Sequence, residues 1–484
     1  MEQGQSTQLA RRLGLMGLIA TGVCTVIGGG INVLTVMIQK EVPGITHQVP
    51  MAFLLGAIPA IFCALSFGIL SSAMPTAGGT YIYISRGFSP FLGFISTFSQ
   101  WLGLTTAIGV IAYAKMFLLV DALHQVRSAA SIEHILRSDL CMVGIPLIMV
   151  WLSWLLNALG IKAYERVMIT FMFLMLSGGA ILIFTGLTTS HEEFAQALLV
   201  REGIRLEEQV LATPSAGLTG LLRAAAVLFF AYLGFDAISQ AGDESKKASF
   251  SLPLAFIFSA GIIIVYYTLF SLAVYHSMPW QYVFYKAASG KITAPGLMAV
   301  LWPPPLAIFV ILMAAVALAN DIPPLQMATS RLLYAWTLDK VFPHWLGKVG
   351  KRFMVPHRAI TLGSVAASII IIECHIHGFF LGVDLATMAL LFTYLLVGVT
   401  VLTLPYRNPQ LYKAANFLKN QKLQKVSSLM TVMFTFSMLI ILIQKDPIWQ
   451  GKILQSSFFL WMLSLSLGAF IFYYYWSRRS KALA

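Results

Sequence analysis

The sequence Val26-Ile27-Gly28-Gly29-Gly30-Ile31 interrupts a long apolar stretch near the amino terminus. Each glycine costs about 1 kcal/mol relative to alanine inside a helix, so three in a row predict a break in the helix. Small residues also let helices pack closely, but three adjacent positions cannot all face one neighbour. In a membrane, backbone outside a helix is tolerated where it is buried in protein or lines a cavity. The stretch therefore predicts a discontinuous helix beside an internal cavity.

The composition is that of a membrane protein. Of 484 residues, 58% are apolar and 11% are charged, whereas soluble domains carry about 45–50% apolar and about 25% charged residues. These values exclude a soluble domain, a disordered chain and a collagen-like repeat. The four cysteines lie in or at the ends of apolar stretches and do not form the pattern of a disulfide scaffold.

Apolar runs long enough to cross a bilayer predict an all-α protein with twelve membrane spans in one domain, residues 1–484. Numbered in chain order, spans 1 to 12 are 13–37, 52–74, 88–118, 140–158, 167–187, 218–240, 253–275, 304–336, 359–374, 378–403, 428–444 and 456–476. The loop at 188–217 is long enough to hold one surface helix.

The basic residues predict the orientation. Twelve spans place both termini on one side of the membrane, here called the terminal side, and most of the 32 lysines and arginines fall there. The positive-inside rule then predicts cytoplasmic termini in a plasma-membrane protein. We therefore interpret the net charge of +13 as an orientation signal and not as a nucleic-acid site.

A second break is predicted in span 6, where Phe229-Phe230-Ala231-Tyr232-Leu233-Gly234-Phe235-Asp236 combines a glycine with an acid. Spans 1 and 6 hold the same position in two successive five-span units, about 13–187 and 218–403. Interrupted helices at matching positions of two halves indicate a transporter built from inverted repeats. Freed amides at a helix start attract a carboxylate, and freed carbonyls can hold an ammonium group.

Five stretches resemble motifs of the amino acid–polyamine–organocation superfamily of permeases. In chain order they are 27–31, 75–83, 234–236 with 243–246 and Pro253, 330–334 with Pro343, and Pro356. The resemblance implies a LeuT-like fold, with ten helices in a five-plus-five inverted repeat and two further helices at about 428–476. It also implies a secondary transporter of amino acids or related amines that works by alternating access.

The resemblance further implies a binding site. The substrate's carboxylate would meet the backbone of Ile27, Gly28, Gly29 and Gly30, and its amine the carbonyls near Phe230, Ala231 and Leu233, beside Tyr232 and Gly234. Phe230 matches an aromatic position that closes over substrate in relatives, although a packed core ring is an equal alternative. Tyr232 is a weaker candidate of the same kind. Gly29 stands where many relatives have serine.

Asp321 is the candidate coupling residue, because charge inside a membrane is costly and usually functional. Pro323 and Pro324 follow it and leave carbonyls without their usual donors. The acid could accept a driving proton, bind sodium or pair with a cationic substrate; a protonated, hydrogen-bonded acid is the structural alternative. Proton symport is the leading hypothesis, and sodium symport and obligatory exchange stay open. For Asp236, we favour the role of a structural helix cap over that of a coupling residue.

Several relatives carry a lysine in span 5 that replaces sodium or handles a proton. Span 5 of this chain contains no lysine or arginine, so that mechanism does not transfer.

Other functional classes have less support. No nucleotide-binding glycine loop and no catalytic triad occur, so we predict neither an enzyme nor a cofactor. Glu373, His375 and His377 form only a weak metal pattern, and no metal site is predicted. A transport-derived sensor or a channel is the alternative of a different class. The sequence does not decide whether the substrate is cationic or neutral. It also leaves the oligomeric state open.

Overall fold

The structure, a computed structural model, describes residues 9–124, 134–206, 216–290, 292–377 and 381–483. Helices make up most of these residues, and the extended pairs among them are two isolated bridges, Leu13 with Ser245 and Ala77 with Ala241. The predicted all-helical class is confirmed.

The main helices of these ranges are α1 Leu15–Val26, α2 Gly29–Glu41, α3 Val49–Ala73, α4 Gly79–Gly87, α5 Pro90–His124, α6 Asp139–Ala158, α7 Ile161–Thr188, α8 His191–Glu202, α9 Gly217–Phe229, α10 Ala237–Gln240, α11 Ala248–Ser277, α12 Trp280–Ser289, α13 Ala294–Met298, α14 Pro304–Ala319, α15 Ile322–Leu338, α16 His357–His377, α17 Leu381–Arg407, α18 Pro409–Ala414, α19 Gln421–Lys445 and α20 Ser457–Leu483.

Eleven helical segments in the described part are long and apolar enough to cross a membrane, and they coincide with eleven predicted spans. The exception is span 8. It was predicted as one helix over 304–336, but it consists of α14 and α15, which are separated at Asn320 and Asp321. Pro323 and Pro324 stand in the first turn of α15, where their missing amide donors are tolerated and where they favour a new helix start.

The two predicted breaks are present. In span 1, α1 ends at Val26 and α2 begins at Gly29. In span 6, α9 ends at Phe229, a single 3₁₀ turn covers 230–232, and α10 begins at Ala237. Three of the twelve predicted spans are therefore discontinuous within the described residues.

The packing surrounds these breaks with continuous helices. α1 packs against α7 and α11, and α3 packs against α9 and α11. α5 packs against α14 and α15, and also against α16 and α17. The breaks in spans 1 and 6 thus face α11, and the break in span 8 faces α5.

The predicted surface helix in the loop after span 5 is α8. It starts with a capping box in which the Ser190 hydroxyl accepts the Glu193 amide and the Glu193 carboxylate accepts the Ser190 amide. This arrangement satisfies two amide donors that the first helical turn otherwise leaves unpaired.

Candidate solute and coupling site

One tyrosine hydroxyl connects the breaks in spans 1 and 6. The Tyr267 hydroxyl on α11 lies 2.8 Å from the carbonyl oxygen of Val26 and 3.1 Å from that of Ala231. The Tyr267 side chain is buried, and its hydroxyl proton is shared between two carbonyls at the helix breaks. The sequence did not single out Tyr267, because a tyrosine in an apolar span gives no separate signal.

The amide donors at the first break divide into two pairs. The Ile27 amide donates to the Val23 carbonyl at 2.8 Å, and the Gly28 amide donates to the Val26 carbonyl at 3.0 Å. Gly29 and Gly30 instead open α2, and the first amides of a helix have no acceptor within that helix. Of the four backbone positions predicted to meet a carboxylate, these two lie at the positive end of a helix dipole.

The carbonyls at the second break are only partly free. The Phe230 carbonyl accepts the Leu233 amide at 3.2 Å, and the Ala231 carbonyl accepts from Tyr267. Each carbonyl oxygen has two lone pairs, so each retains one for a further donor. An ammonium group predicted to bind here would use those second lone pairs.

The two aromatic candidates differ in exposure. The Phe230 side chain is 37% exposed, and the turn that contains it touches α2, where Gly30 is also exposed. Tyr232 is buried, donates its hydroxyl to the Phe53 carbonyl at 3.0 Å and packs its ring against Tyr267. Phe230 is therefore the more accessible of the two rings, whereas Tyr232 holds the turn in position.

Gly234 and Asp236 belong to a buried hydrogen-bond network. Gly234 has a φ of +117°, a conformation that favours glycine, and its amide donates to the Tyr394 hydroxyl at 3.3 Å. The Asp236 carboxylate accepts from Tyr394 at 2.8 Å and from Gln100 at 2.6 Å. Asp236 stands at the N-cap of α10, but its side chain makes no capping bond, so the predicted capping contact is wrong. The carboxylate instead joins span 6 to α5 and α17.

The same network explains the motif at 75–83. The Thr80 hydroxyl donates to the Gln100 side-chain oxygen at 3.1 Å and accepts from the Gln240 amide at 2.9 Å. A Cβ at Gly79 would lie 2.4 Å from the Ser239 carbonyl oxygen, so a side chain there would push α4 away from α10. The motif residues therefore position the second half of span 6.

Asp321 forms a buried ion pair with Lys115. The ammonium of Lys115 on α5 contacts Asp321 Oδ1 in the break of span 8. The two side chains are 5% and 8% exposed. Sequence reasoning did not single out Lys115, although it is the only lysine inside the twelve predicted spans. That isolation was the available signal, because a buried charge needs a partner of opposite sign.

The break in span 8 also touches the break in span 1. A Cβ at Gly28 would lie 2.9 Å from Asp321 Oδ2, so a side chain at this position would force the carboxylate to shift. The Asn320 amide lies 3.1 Å from the Ile27 carbonyl, to which it donates, and 3.1 Å from the Met175 sulfur. Within the described chain the Asn320 side-chain oxygen is buried without a hydrogen-bond partner. Asp321 and Asn320 are thus both seated against the first break.

A second buried ion pair lies at the terminal side. Arg331 donates to both carboxylate oxygens of Glu244, at 2.9 and 2.6 Å, and both side chains are 1% exposed. The backbone of Leu13 bonds to the same segment: its amide donates to Glu244 at 2.8 Å, and its carbonyl accepts from Lys246 at 2.9 Å. These contacts join the start of span 1, the segment after span 6 and span 8 on the terminal side, and they use residues of the motifs at 243–246 and 330–334.

The histidine cluster makes pairwise contacts. His377 lies 3.0 Å from the Glu373 carboxylate, and His375 lies 3.2 Å from the Tyr113 hydroxyl and 3.5 Å from Asp139. Among the residues that the structure describes, no group of three or more side chains could hold a metal ion.

Comparisons with known proteins agree with these features. A family model described as amino acid permease matches residues 13–473. An uncharacterised transporter of Mycobacterium tuberculosis is 27% identical over 75% of this chain and 74% of its own length. The vacuolar cationic amino acid transporter 4 of Arabidopsis thaliana is 24% identical over 83% of this chain and 64% of its own. The branched-chain amino acid permease BcaP of Bacillus subtilis is 23% identical over 84% and 83%.

The named relatives are transporters and permeases, not enzymes. The chain is therefore a multi-pass membrane transporter that belongs to the amino acid permease family, within the amino acid–polyamine–organocation superfamily whose motifs its sequence carries.

Proposed function

We propose that this protein is a secondary transporter that moves amino acids or related amines across the plasma membrane, with both termini in the cytoplasm. The observation that carries the proposal is the junction of the two breaks at Tyr267. It sets amides at the start of α2 beside carbonyls at the turn 230–232. A solute with one carboxylate and one ammonium group matches that pair of backbone polarities.

The proposed mechanism is alternating access, in which the site opens to one side of the membrane at a time. The protein would be built from two five-span inverted repeats, about 13–187 and 218–403. The four-helix bundle that contains spans 1 and 6 would rock or gate against the rest of the protein around a fixed site. The printed names of the relatives from Arabidopsis and Bacillus refer to cationic and branched-chain amino acids, which supports the amino acid class without choosing within it.

We further propose proton coupling, with Asp321 as the proton acceptor. The carboxylate is buried, lies against the first break and is neutralised by Lys115. Sodium coupling has less support because the Lys115 ammonium already places a positive charge against Asp321, and that charge would repel a sodium ion at the same carboxylate. Obligatory exchange is the alternative within the same class.

The test is solute counterflow into liposomes that contain the purified protein. A panel of neutral amino acids, cationic amino acids and polyamines should give accumulation of one class, and imposed proton and sodium gradients should then separate the coupling modes. Asp321→Asn should abolish proton-driven uptake, whereas the control Asp384→Asn, at an exposed acid near the start of α17, should retain it. Unchanged pH-driven uptake by Asp321→Asn would disprove the coupling role, and no accumulation of any solute would disprove the carrier.

A further inference from the structure

An internal carboxylate already lies where the substrate's carboxylate is expected. Asp321 Oδ2 is seated against Gly28, the residue that precedes α2, and Asp321 Oδ1 is held by Lys115. The positive end of α2 and the ammonium of Lys115 both favour an anion at this place. The α-carboxylate of an amino acid has the same charge and the same two acceptor oxygens as Asp321.

The pair cannot open without a substitute for each partner. Both side chains are more than nine-tenths buried, and a buried charge that loses its counter-charge is strongly destabilised. A Lys115 side chain that keeps its charge can therefore leave Asp321 only for another anion. Asp321, left without its cation, is neutralised by taking up a proton.

Few other groups could take part in this exchange. Within the described chain, the titratable side chains that interact with Asp321 are Lys115 on α5 and the thiol of Cys24 on α1. The neighbouring side chains of Asn320 and, on α7, Met175 are uncharged. The unpartnered oxygen of Asn320 is an additional acceptor beside the break, available to a donor that enters with the solute.

We propose that the carboxylate of a bound amino acid displaces Asp321 from Lys115, and that Asp321 then binds a proton from solution. The inference rests on the proposed function and deepens it by making Lys115 a specificity-determining residue for a free carboxylate. Before binding, the Lys115 and Asp321 charges cancel. After binding, the Lys115 ammonium pairs with the substrate's carboxylate, Asp321 is neutral, and the substrate's ammonium faces the carbonyls at 230–233. Transport of each zwitterion therefore moves one net positive charge, which is that of the proton on Asp321.

The experiment measures proton uptake when solute is added to purified protein in weakly buffered detergent with a pH indicator. The probes are L-leucine, L-phenylalanine and L-arginine, each compared with its decarboxylated amine, which is isoamylamine, phenethylamine or agmatine. When an amino acid that shows counterflow binds, the protein should take up about one proton per bound molecule, because the displaced acid must be neutralised. When the matched amine binds, the protein should take up none.

Variants connect the uptake to the ion pair. Asp321→Asn should bind the amino acid without proton uptake, and Lys115→Arg should retain uptake because a cation remains. If Asp321→Asn alone folds poorly, the double variant Lys115→Gln with Asp321→Asn keeps the site neutral and replaces it. The double variant should show no proton uptake and should no longer favour the amino acid over its amine. The control is Arg86→Gln, at an ion pair with Asp339 in which the arginine side chain is 45% exposed, and it should behave as wild type.

The outcomes separate the inference from the proposed function. Counterflow without proton uptake in the wild type, or with uptake that persists in Asp321→Asn, overturns the exchange while the carrier stands. Counterflow of the amines that equals that of the amino acids also overturns it. Counterflow of no probe at all contradicts the proposed function itself.

Discussion

Replacing Lys115 with methionine should destabilise the protein by about 3–5 kcal/mol, because the change leaves the Asp321 carboxylate buried without its cation. Methionine keeps most of the length and apolar surface of the lysine side chain, so loss of packing contributes little. The magnitude follows from the exposure of the pair, which is 5% for Lys115 and 8% for Asp321. At such burial, water cannot replace the missing partner.

The double variant Lys115→Met with Asp321→Asn tests whether the lost unfolding free energy comes from an unpaired buried charge. Asp321→Asn alone should cost a similar amount, since it leaves the ammonium unpaired, but Lys115→Met with Asp321→Asn should lie within about 1–2 kcal/mol of wild type. The two single changes would then be non-additive by about 3 kcal/mol or more, as expected for groups in direct contact.

The assay is reversible unfolding in mixed micelles, followed by circular dichroism, with the four proteins compared as a cycle. Arg86→Met is the control, because its ion pair with Asp339 is partly exposed and should contribute no more than about 1 kcal/mol. If the two single changes add up in the double variant, the side chains do not interact as the structure shows, and the reasoning fails.

Three further changes test the breaks themselves. Gly234→Ala should cost about 1–3 kcal/mol in the same unfolding assay, because residue 234 has a φ of +117°; an unchanged stability would contradict this. Tyr267→Phe should cost about 1–3 kcal/mol, since the buried Ala231 carbonyl loses its hydroxyl donor and the Val26 carbonyl keeps only the Gly28 amide, and it should slow counterflow, whereas Tyr473→Phe on the exposed face of α20 should do neither. Phe230→Ala should raise the half-saturation concentration for transport up to about tenfold through loss of a ring contact; an unchanged value would place the ring outside the solute path.

The sequence predicted the fold well because its signals are local. Long apolar runs define the spans, and adjacent glycines at 28–30 or a glycine beside an acid at 234–236 mark backbone that cannot stay helical. The break in span 8 was missed because apolar residues continue on both sides of it. The two prolines that start α15 were interpreted as a source of free carbonyls and not as a helix start.

The site was predicted less completely, because its contacts depend on which side chains reach across the fold. Asp321 was identified from its charge alone, but its partner lies 206 residues away on another helix. Tyr267 and Asn320 are ordinary residues in sequence, and they matter only because a hydroxyl and an amide reach carbonyls released by the breaks. Asp236 was correctly assigned to the spanning segment, whereas its partners, Gln100 and Tyr394, required the packed structure.

The contacts at the terminal side have a consequence for the balance between the proposed conformers. Leu13 is joined to the segment at 244–246 through two backbone hydrogen bonds that do not depend on its side chain. Two such bonds contribute about 1–3 kcal/mol in total, which corresponds to a change of about 5- to 150-fold in the ratio of two states. Under the proposed alternating access, the two bonds at Leu13 would favour the conformer that keeps this end joined, and their loss would raise the fraction of carriers open there without altering the site.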